Sequence, residues 1–188
     1  ILQERLGLSD RCFTLDIPMG CCGCVYSITV VGNMLSSGNL KKALLLIGDT
    51  ATRMGSPYDK SRVPLFGDCG TALALEYHED AEPIIVDFHT FGKGYRALMT
   101  PAGGLDVLSF AISKPPKSID ELLKYCALDK EKDIDYFLIH QANKLIIDRI
   151  VKKLKLETAK VPCNIRNFGN LGGSSIPMLM VTDLKEQL

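Results

Sequence analysis

The residues best suited to chemistry lie in Leu15-Asp16-Ile17-Pro18-Met19-Gly20-Cys21-Cys22-Gly23-Cys24-Val25-Tyr26, where cysteines and glycines share one short turn. Residues 12–17 read as a short apolar strand, and the dense apolar residues of 25–35 read as a buried helix. The thiols are therefore expected at a strand-to-helix turn. There, unpaired backbone N–H groups and the positive end of the helix dipole favour thiolate over thiol. Gly20 and Gly23 bracket the turn and would let a substrate carbonyl approach the backbone without meeting a Cβ. A nucleophile so placed has a partial oxyanion hole at hand.

Two further groups extend the set. His140 follows the apolar stretch 135–139 and precedes an amphipathic helical pattern over 142–156, with Leu145, Ile146, Ile150, Val151 and Leu154 as its stripe. A strand-to-helix junction is where open α/β sheets place functional side chains. Asn170 lies in the polar, glycine-rich stretch 164–177 ahead of a last helix. Cys, His and Asn at three separate element ends supply a nucleophile, a base and an amide donor. The blander alternatives stand beside this one. A free cysteine often packs as a small hydrophobe, and 164–177 could be an ordinary helix-start loop. Cys21 and Cys24 also have C-x-x-C spacing, but no second such pair exists, and Cys12, Cys69, Cys126 and Cys163 are isolated, which argues against a four-ligand zinc site. His78 and His89 read as structural or solvated.

Composition limits the function classes. Lys plus Arg and Asp plus Glu are both 22, so net charge suggests neither a nucleic-acid nor a membrane surface. Seven cysteines without repeating spacing argue for a reducing compartment, and the cytoplasm is expected. No apolar run approaches the ~20 residues of a membrane span, and no signal-peptide pattern opens the chain. The first residue is Ile1, and Lys185-Glu186-Gln187-Leu188 falls inside a helix-like pattern. Both lead us to expect an excerpt of a longer protein.

The supporting elements are expected as follows. Residues 1–8 read as the end of a helix. The apolar run 43–47 reads as a strand buried on both faces and closes a βαβ unit with 12–17 and the helix between. Residues 53–62 form a surface loop, and 71–76 and 84–89 are neighbouring strands at an antiparallel edge. The glycine-rich stretch 92–104 is a loop requiring neither strand nor helix. Two helices, 105–113 and 118–128, are split by Pro115-Pro116, with Ser118 as N-cap and Glu121 three residues on. Residues 135–139 form a strand.

These residues resemble one family. Residues 16–38 are similar to the nucleophile strand and buried helix of beta-ketoacyl-acyl carrier protein synthase III and its thiolase-superfamily relatives, with Cys21 at the nucleophile position. Leu65-Phe66-Gly67-Asp68 resembles its Phe-Gly-Asp-Gly segment, Ile139-His140-Gln141-Ala142-Asn143 its histidine motif, and Phe168-Gly169-Asn170 with Ser174-Ser175-Ile176-Pro177 its asparagine motif. The resemblance implies an α/β chain of the thiolase-like αβαβα layered fold, in part: 1–90 would be the second part of the N-terminal half and 91–188 a truncated C-terminal half. It implies an acyltransferase without cofactor or metal, working as a cytoplasmic homodimer on acyl-coenzyme A and malonyl-acyl carrier protein in fatty acid biosynthesis. Cys21 would hold the acyl group, with its own N–H in the oxyanion hole. His140 and Asn170 would stabilise the enolate formed on decarboxylation, and the carbanion would then attack in a Claisen condensation. Phe66 and Asn143 would line the substrate tunnel and the pantetheine wall. Elements that grip coenzyme A, and a glycine completing the oxyanion hole, would lie outside the chain.

The chain departs from the family pattern in places. Cys69 stands where a glycine is usual, Lys144-Leu145 where Leu-Arg is common, and Cys22 and Cys24 where small or aromatic residues are usual. The stretch between Met99 and Leu105 is short. These features keep alternatives open: a specialised enzyme of secondary metabolism or an acyltransferase, a non-catalytic partner subunit of a synthase, and C-x-x-C redox chemistry.

Overall fold

The computed structural model describes residues 1–60, 63–98 and 104–187. A short helix α1 (Leu2–Arg5) opens the chain and runs into Gly7, whose φ of +63° turns it away. Helix α2 (Gly23–Ser36) follows, as the apolar density predicts. Its polar side chains fold back on its own carbonyls: Thr29 Oγ1 donates to the Val25 carbonyl at 2.8 Å and Asn33 Nδ2 to the Thr29 carbonyl at 2.8 Å. It stops at Gly38, in the left-handed region at φ +81°. Cys24, Ser27 and Leu35 form its buried side.

Strand β1 (Lys42–Thr50) pairs with β2 (Asp68–Glu76) in an antiparallel two-stranded sheet, with Asp49 opposite Cys69 and Thr50 opposite Asp68. Burial along β1 alternates. Ala43, Leu45, Ile47 and Asp49 point to the covered face, while Leu44 and Leu46 remain 46% and 44% exposed. The expectation of a strand buried on both faces is thus corrected: α2 and the turn at Gly172–Ser174 cover one face, and nothing among the described residues covers the other.

Three other apolar runs expected as strands, 12–17, 84–89 and 135–139, carry no ladder. An apolar run becomes a strand only when a neighbour pairs its N–H and C=O groups. For 135–139 a single bond of that kind is present, from the Phe137 N–H to the Lys160 carbonyl at 2.8 Å. The expected βαβ unit therefore lacks its first strand, and the antiparallel partner of β2 is β1 rather than 84–89. In 53–62, turns follow a 3-10 segment at Ala51–Arg53, with residues 61 and 62 outside the described ones. Gly92–Leu98, expected to need no helix, is wound as 3-10 helix, and the short stretch between Met99 and Leu105 lies largely outside the described residues.

Helix α3 (Gly104–Tyr125) runs through Pro115 and Pro116, where a break was expected. Pro116 has no N–H for the Ile112 carbonyl four residues back. Lys153 Nζ, reaching over from α4 (Lys144–Leu154), donates to that carbonyl at 3.2 Å. Pro116 itself is fully buried. Packing between the two helices thus stabilises a helix that local sequence would interrupt. Ser118, expected as an N-cap, sits inside α3 and donates to Asp87 Oδ2 at 2.6 Å, while Glu121 pairs with Lys117 at 3.5 Å.

The stripe on α4 is the centre of the main core. Ile146, Ile147, Ile150 and Leu154 pack with Leu156 and Val161, and Leu108, Ala111 and Ile119 of α3 close over them. Helix α5 (Ile165–Phe168), the 3-10 turn Gly172–Ser174 and helix α6 (Ser175–Thr182) complete the chain, with Leu179 fully buried. In urea unfolding of the intact protein, Ile150→Ala should cost about 2–5 kcal/mol, while Lys152→Ala, on the exposed side of α4, should cost under about 0.5 kcal/mol.

Candidate active site

The site is built where the 168–174 segment meets the ends of both strands. The Asn170 N–H donates to the Leu65 carbonyl at 2.8 Å and the Gly67 N–H to the Asn170 carbonyl at 3.1 Å, so Phe66 and Asn170 form an isolated parallel bridge. The approach is too close for side chains. A Cβ on Gly67 would lie 2.3 Å from the Phe168 carbonyl oxygen, and one on Gly169, at φ +72°, would lie 2.9 Å from the Leu65 carbonyl oxygen. Asn170 is buried at 4% exposure, and its Oδ1 accepts the Gly172 N–H at 3.0 Å. With Oδ1 so engaged, the amide Nδ2 is the group left to donate to a bound oxygen. Of the predicted substrate-binding pair, Phe66 is thereby tied to Asn170. Asn143 is the N-cap of α4, accepting the Leu145 N–H on Oδ1 at 2.8 Å.

Cys21 lies just before Cys22, the N-cap residue of α2. The residue is exposed, but neighbouring atoms desolvate its sulfur and raise the thiol above its ordinary value; its own backbone N–H works in the opposite direction, and Cys22 and Asp49 add to the rise. The expected preference for thiolate is therefore corrected. Desolvation disfavours the charged form more than the backbone N–H favours it. Cys24, the second residue of α2, is 1% exposed and its thiol is pushed up to about 11 by burial. It is a packing residue and a poor redox partner. All seven cysteines are free thiols.

His140 is half-buried, and both ring nitrogens are buried with no hydrogen-bond partner among the described residues. Burial lowers its basicity and so favours the neutral imidazole, with the Asp49 carboxylate opposing. A neutral ring offers one donor and one acceptor, and an unpaired buried polar atom is costly unless a ligand satisfies it.

Sequence reasoning missed Asp49, which acts electrostatically on both Cys21 and His140. Its position, on the last residues of a continuous apolar strand after Gly48, was the available signal. Asp49 Oδ2 accepts the Gly173 N–H at 2.9 Å, and Ser174 Oγ beside it donates to the Ile47 carbonyl at 2.8 Å. Cys69, opposite Asp49, stands in regular β2, and the non-glycine residues with positive φ among the described residues are Ala127 and Lys155. A glycine is thus not needed there. Among the described residues no group of three His, Cys, Asp or Glu is placed to hold a metal ion, and no helix is long and apolar enough to cross a membrane.

Gly172 has φ +57°, and a Cβ there would lie 2.0 Å from Asp49 Oδ2, whereas a Cβ on Gly70 meets open space. Gly172→Ala should therefore lower the melting temperature by several degrees, by about 1–3 kcal/mol in stability, with Gly70→Ala leaving it near that of the unsubstituted protein in the same thermal scan.

Comparison with known proteins places the chain in a family. Residues 15–94 match the family described as 3-Oxoacyl-[acyl-carrier-protein (ACP)] synthase III, and residues 128–188 match its C-terminal counterpart. A beta-ketoacyl-[acyl-carrier-protein] synthase III of Limosilactobacillus reuteri is 32% identical over 209 residues, covering 100% of this chain and 64% of that protein. The chain thus spans under two thirds of the length of this relative. A crystal structure of 3-oxoacyl-(acyl carrier protein) synthase III from Pseudomonas aeruginosa superposes with a TM-score of 0.88 at 28% identity, covering 99% of this chain and 62% of that one. A 3-oxoacyl-(acyl-carrier protein) synthase from Burkholderia xenovorans superposes at 0.84 with 30% identity, over 99% of this chain and 60% of that one. The fold is therefore thiolase-like, in part. With both halves of the family pattern matched in order, the chain belongs to the beta-ketoacyl-[acyl-carrier-protein] synthase III family.

Proposed function

We propose that the intact protein is a condensing enzyme that joins an acyl primer to a malonyl unit on acyl carrier protein at the start of fatty acid biosynthesis. The observation that carries this reading is the Asp49 carboxylate, which accepts the Gly173 N–H next to the Asn170 turn and acts electrostatically on both the Cys21 thiol and the buried His140 ring, whose nitrogens have no hydrogen-bond partner among the described residues. Cys21 Sγ attacks the thioester carbonyl of acyl-coenzyme A, the thiol proton leaves with the departing coenzyme A thiol, and an acyl-Cys21 thioester remains. The Cys21 backbone N–H lies at the oxyanion. The malonyl thioester then enters and loses carbon dioxide. His140, neutral, and the Asn170 amide donate to the thioester oxygen and stabilise the enolate. Its carbon attacks the acyl-Cys21 carbonyl, the new C–C bond forms, and the Cys21 thiolate leaves and regains a proton.

No resident cofactor or metal is required. Phe66 lines the acyl tunnel, and Asn143, whose Oδ1 caps α4, lines the pantetheine wall. Residues 1–90 and 91–188 belong to the two similar halves of the fold, and the enzyme works as a cytoplasmic homodimer. The complete Cys, His and Asn set speaks against a non-catalytic partner subunit. A second reading, a specialised ketosynthase III-like enzyme or acyltransferase of secondary metabolism, is favoured by Leu145, which stands where the family's arginine is common, and by the neighbouring Lys144, whose ammonium is paired with Asp148 in the next turn and so is a poor substitute for it.

Incubating the intact protein with a panel of acyl-coenzyme A thioesters, followed by peptide mass spectrometry, should find the acyl mass on Cys21, absent in Cys21→Ala. The preferred chain length separates the two readings, and no adduct from any thioester on folded protein would sink both for coenzyme A primers. Cys24→Ser should retain turnover within about threefold, as expected of a packing thiol. Because burial raises the Cys21 thiol above its ordinary value, its alkylation by iodoacetamide should still be accelerating at pH 8; a plateau near neutrality would show a thiolate instead.

A further inference from the structure

We propose that Asp49 is a positioning residue of this site, one that holds the Asn170 turn against the nucleophile turn and sets a fixed negative charge that acts on both thiol and imidazole. The proposal rests on reading Cys21, His140 and Asn170 as the reacting set. Asp49 stands at the covered face of β1, two residues beyond Ile47. Its Oδ2 takes the Gly173 N–H at 2.9 Å, and the next residue back, Gly172, is bonded to Asn170 Oδ1 at 3.0 Å. The carboxylate and the Asn170 amide are therefore joined through two consecutive peptide units. On the other side, a Cβ at Gly173 would lie 3.4 Å from the Gly20 carbonyl oxygen and 3.1 Å from Ile47 Cγ2, so this turn is wedged between the start of the cysteine turn and β1.

The seat fits no larger residue. A Cβ on Gly172 would fall 2.0 Å from Asp49 Oδ2 and 2.7 Å from its Cγ. Glycine at 172 is thus demanded by Asp49 as well as by its backbone angle. Cys22 and Asp49 are the titratable groups that act on the Cys21 thiol, and Asp49 is the one that acts on His140. A negative charge holds a thiol protonated and makes an imidazole easier to protonate. Removing it must move both titrations to lower pH. That common direction is a signature that a purely structural loss does not produce.

The test uses Asp49→Asn, which keeps an oxygen for the Gly173 N–H but removes the charge, and Asp49→Ala, which removes both, in the intact protein. The rate of iodoacetamide alkylation of Cys21, followed by peptide mass spectrometry from about pH 6 to about pH 11, should shift to lower pH by about half a pH unit or more in Asp49→Asn. The NMR titration midpoint of His140 should also fall. In condensation assays Asp49→Ala should lose about 10- to 100-fold in kcat with KM for the primer little changed, and Asp49→Asn should recover part of that loss. Superimposable alkylation and His140 profiles in Asp49→Asn, or kcat unchanged in Asp49→Ala, would overturn the inference. If the unsubstituted protein takes up no acyl group, the condensing-enzyme reading fails, while the two titrations still decide the role of Asp49.

Discussion

The close approach of the 168–174 segment to the ends of β1 and β2 is the constraint on which the site depends. Gly67, Gly169, Gly172 and Gly173 all stand where a Cβ would meet backbone, the Asp49 carboxylate or a packed side chain within 3.1 Å. The Asn170 backbone is bonded in both directions to Leu65 and Gly67, so a loop distant in sequence is fixed against β2 by main-chain bonds rather than by side-chain contacts alone. Such bonds leave little freedom for the Asn170 amide. An amide that must donate to a transient negative charge gains most when it is already oriented, because no reorganisation then accompanies the reaction.

Electrostatically, burial favours the neutral forms of both Cys21 and His140. Burial raises the Cys21 thiol and lowers the His140 imidazole, so a thiolate-imidazolium pair is disfavoured from both sides. Asp49 pulls the two in the same direction on the pH scale, with opposite consequences for the net effect of burial: it reinforces the shift of the thiol and opposes that of the imidazole. A neutral imidazole with an unspent N–H suits a hydrogen-bond donor to an enolate oxygen better than an imidazolium, which would surrender its proton to it. In the proposed reaction, the same burial that slows Cys21 as a free nucleophile favours the neutral form of His140.

The other end of the molecule shows tertiary packing overriding local chemistry. Pro115 and Pro116 should end a helix, yet α3 continues because its face is buried on α4 and Lys153 supplies the donor that Pro116 lacks. The main core lies on α4, whose first residue follows the N-cap Asn143 and thereby the His140 stretch. A stable α4 anchors the backbone on which His140 sits.

Sequence alone was sufficient for α2 and α4, for Asn170 and His140 as candidate groups, and for the family, because helical periodicity and short motifs are local properties. It also singled out the cysteine turn as the candidate nucleophile turn. Strand pairing was not legible: 12–17, 84–89 and 135–139 have strand-like composition but no ladder, since pairing depends on a neighbour that composition does not specify. The covered face of β1, the continuity of α3 and the protonation of Cys21 were likewise decided by packing. Asp49 was the largest omission. One carboxylate after an apolar run is unremarkable by itself, and it becomes part of the site only when folding brings Gly172 and Gly173, more than a hundred residues away, onto its oxygen.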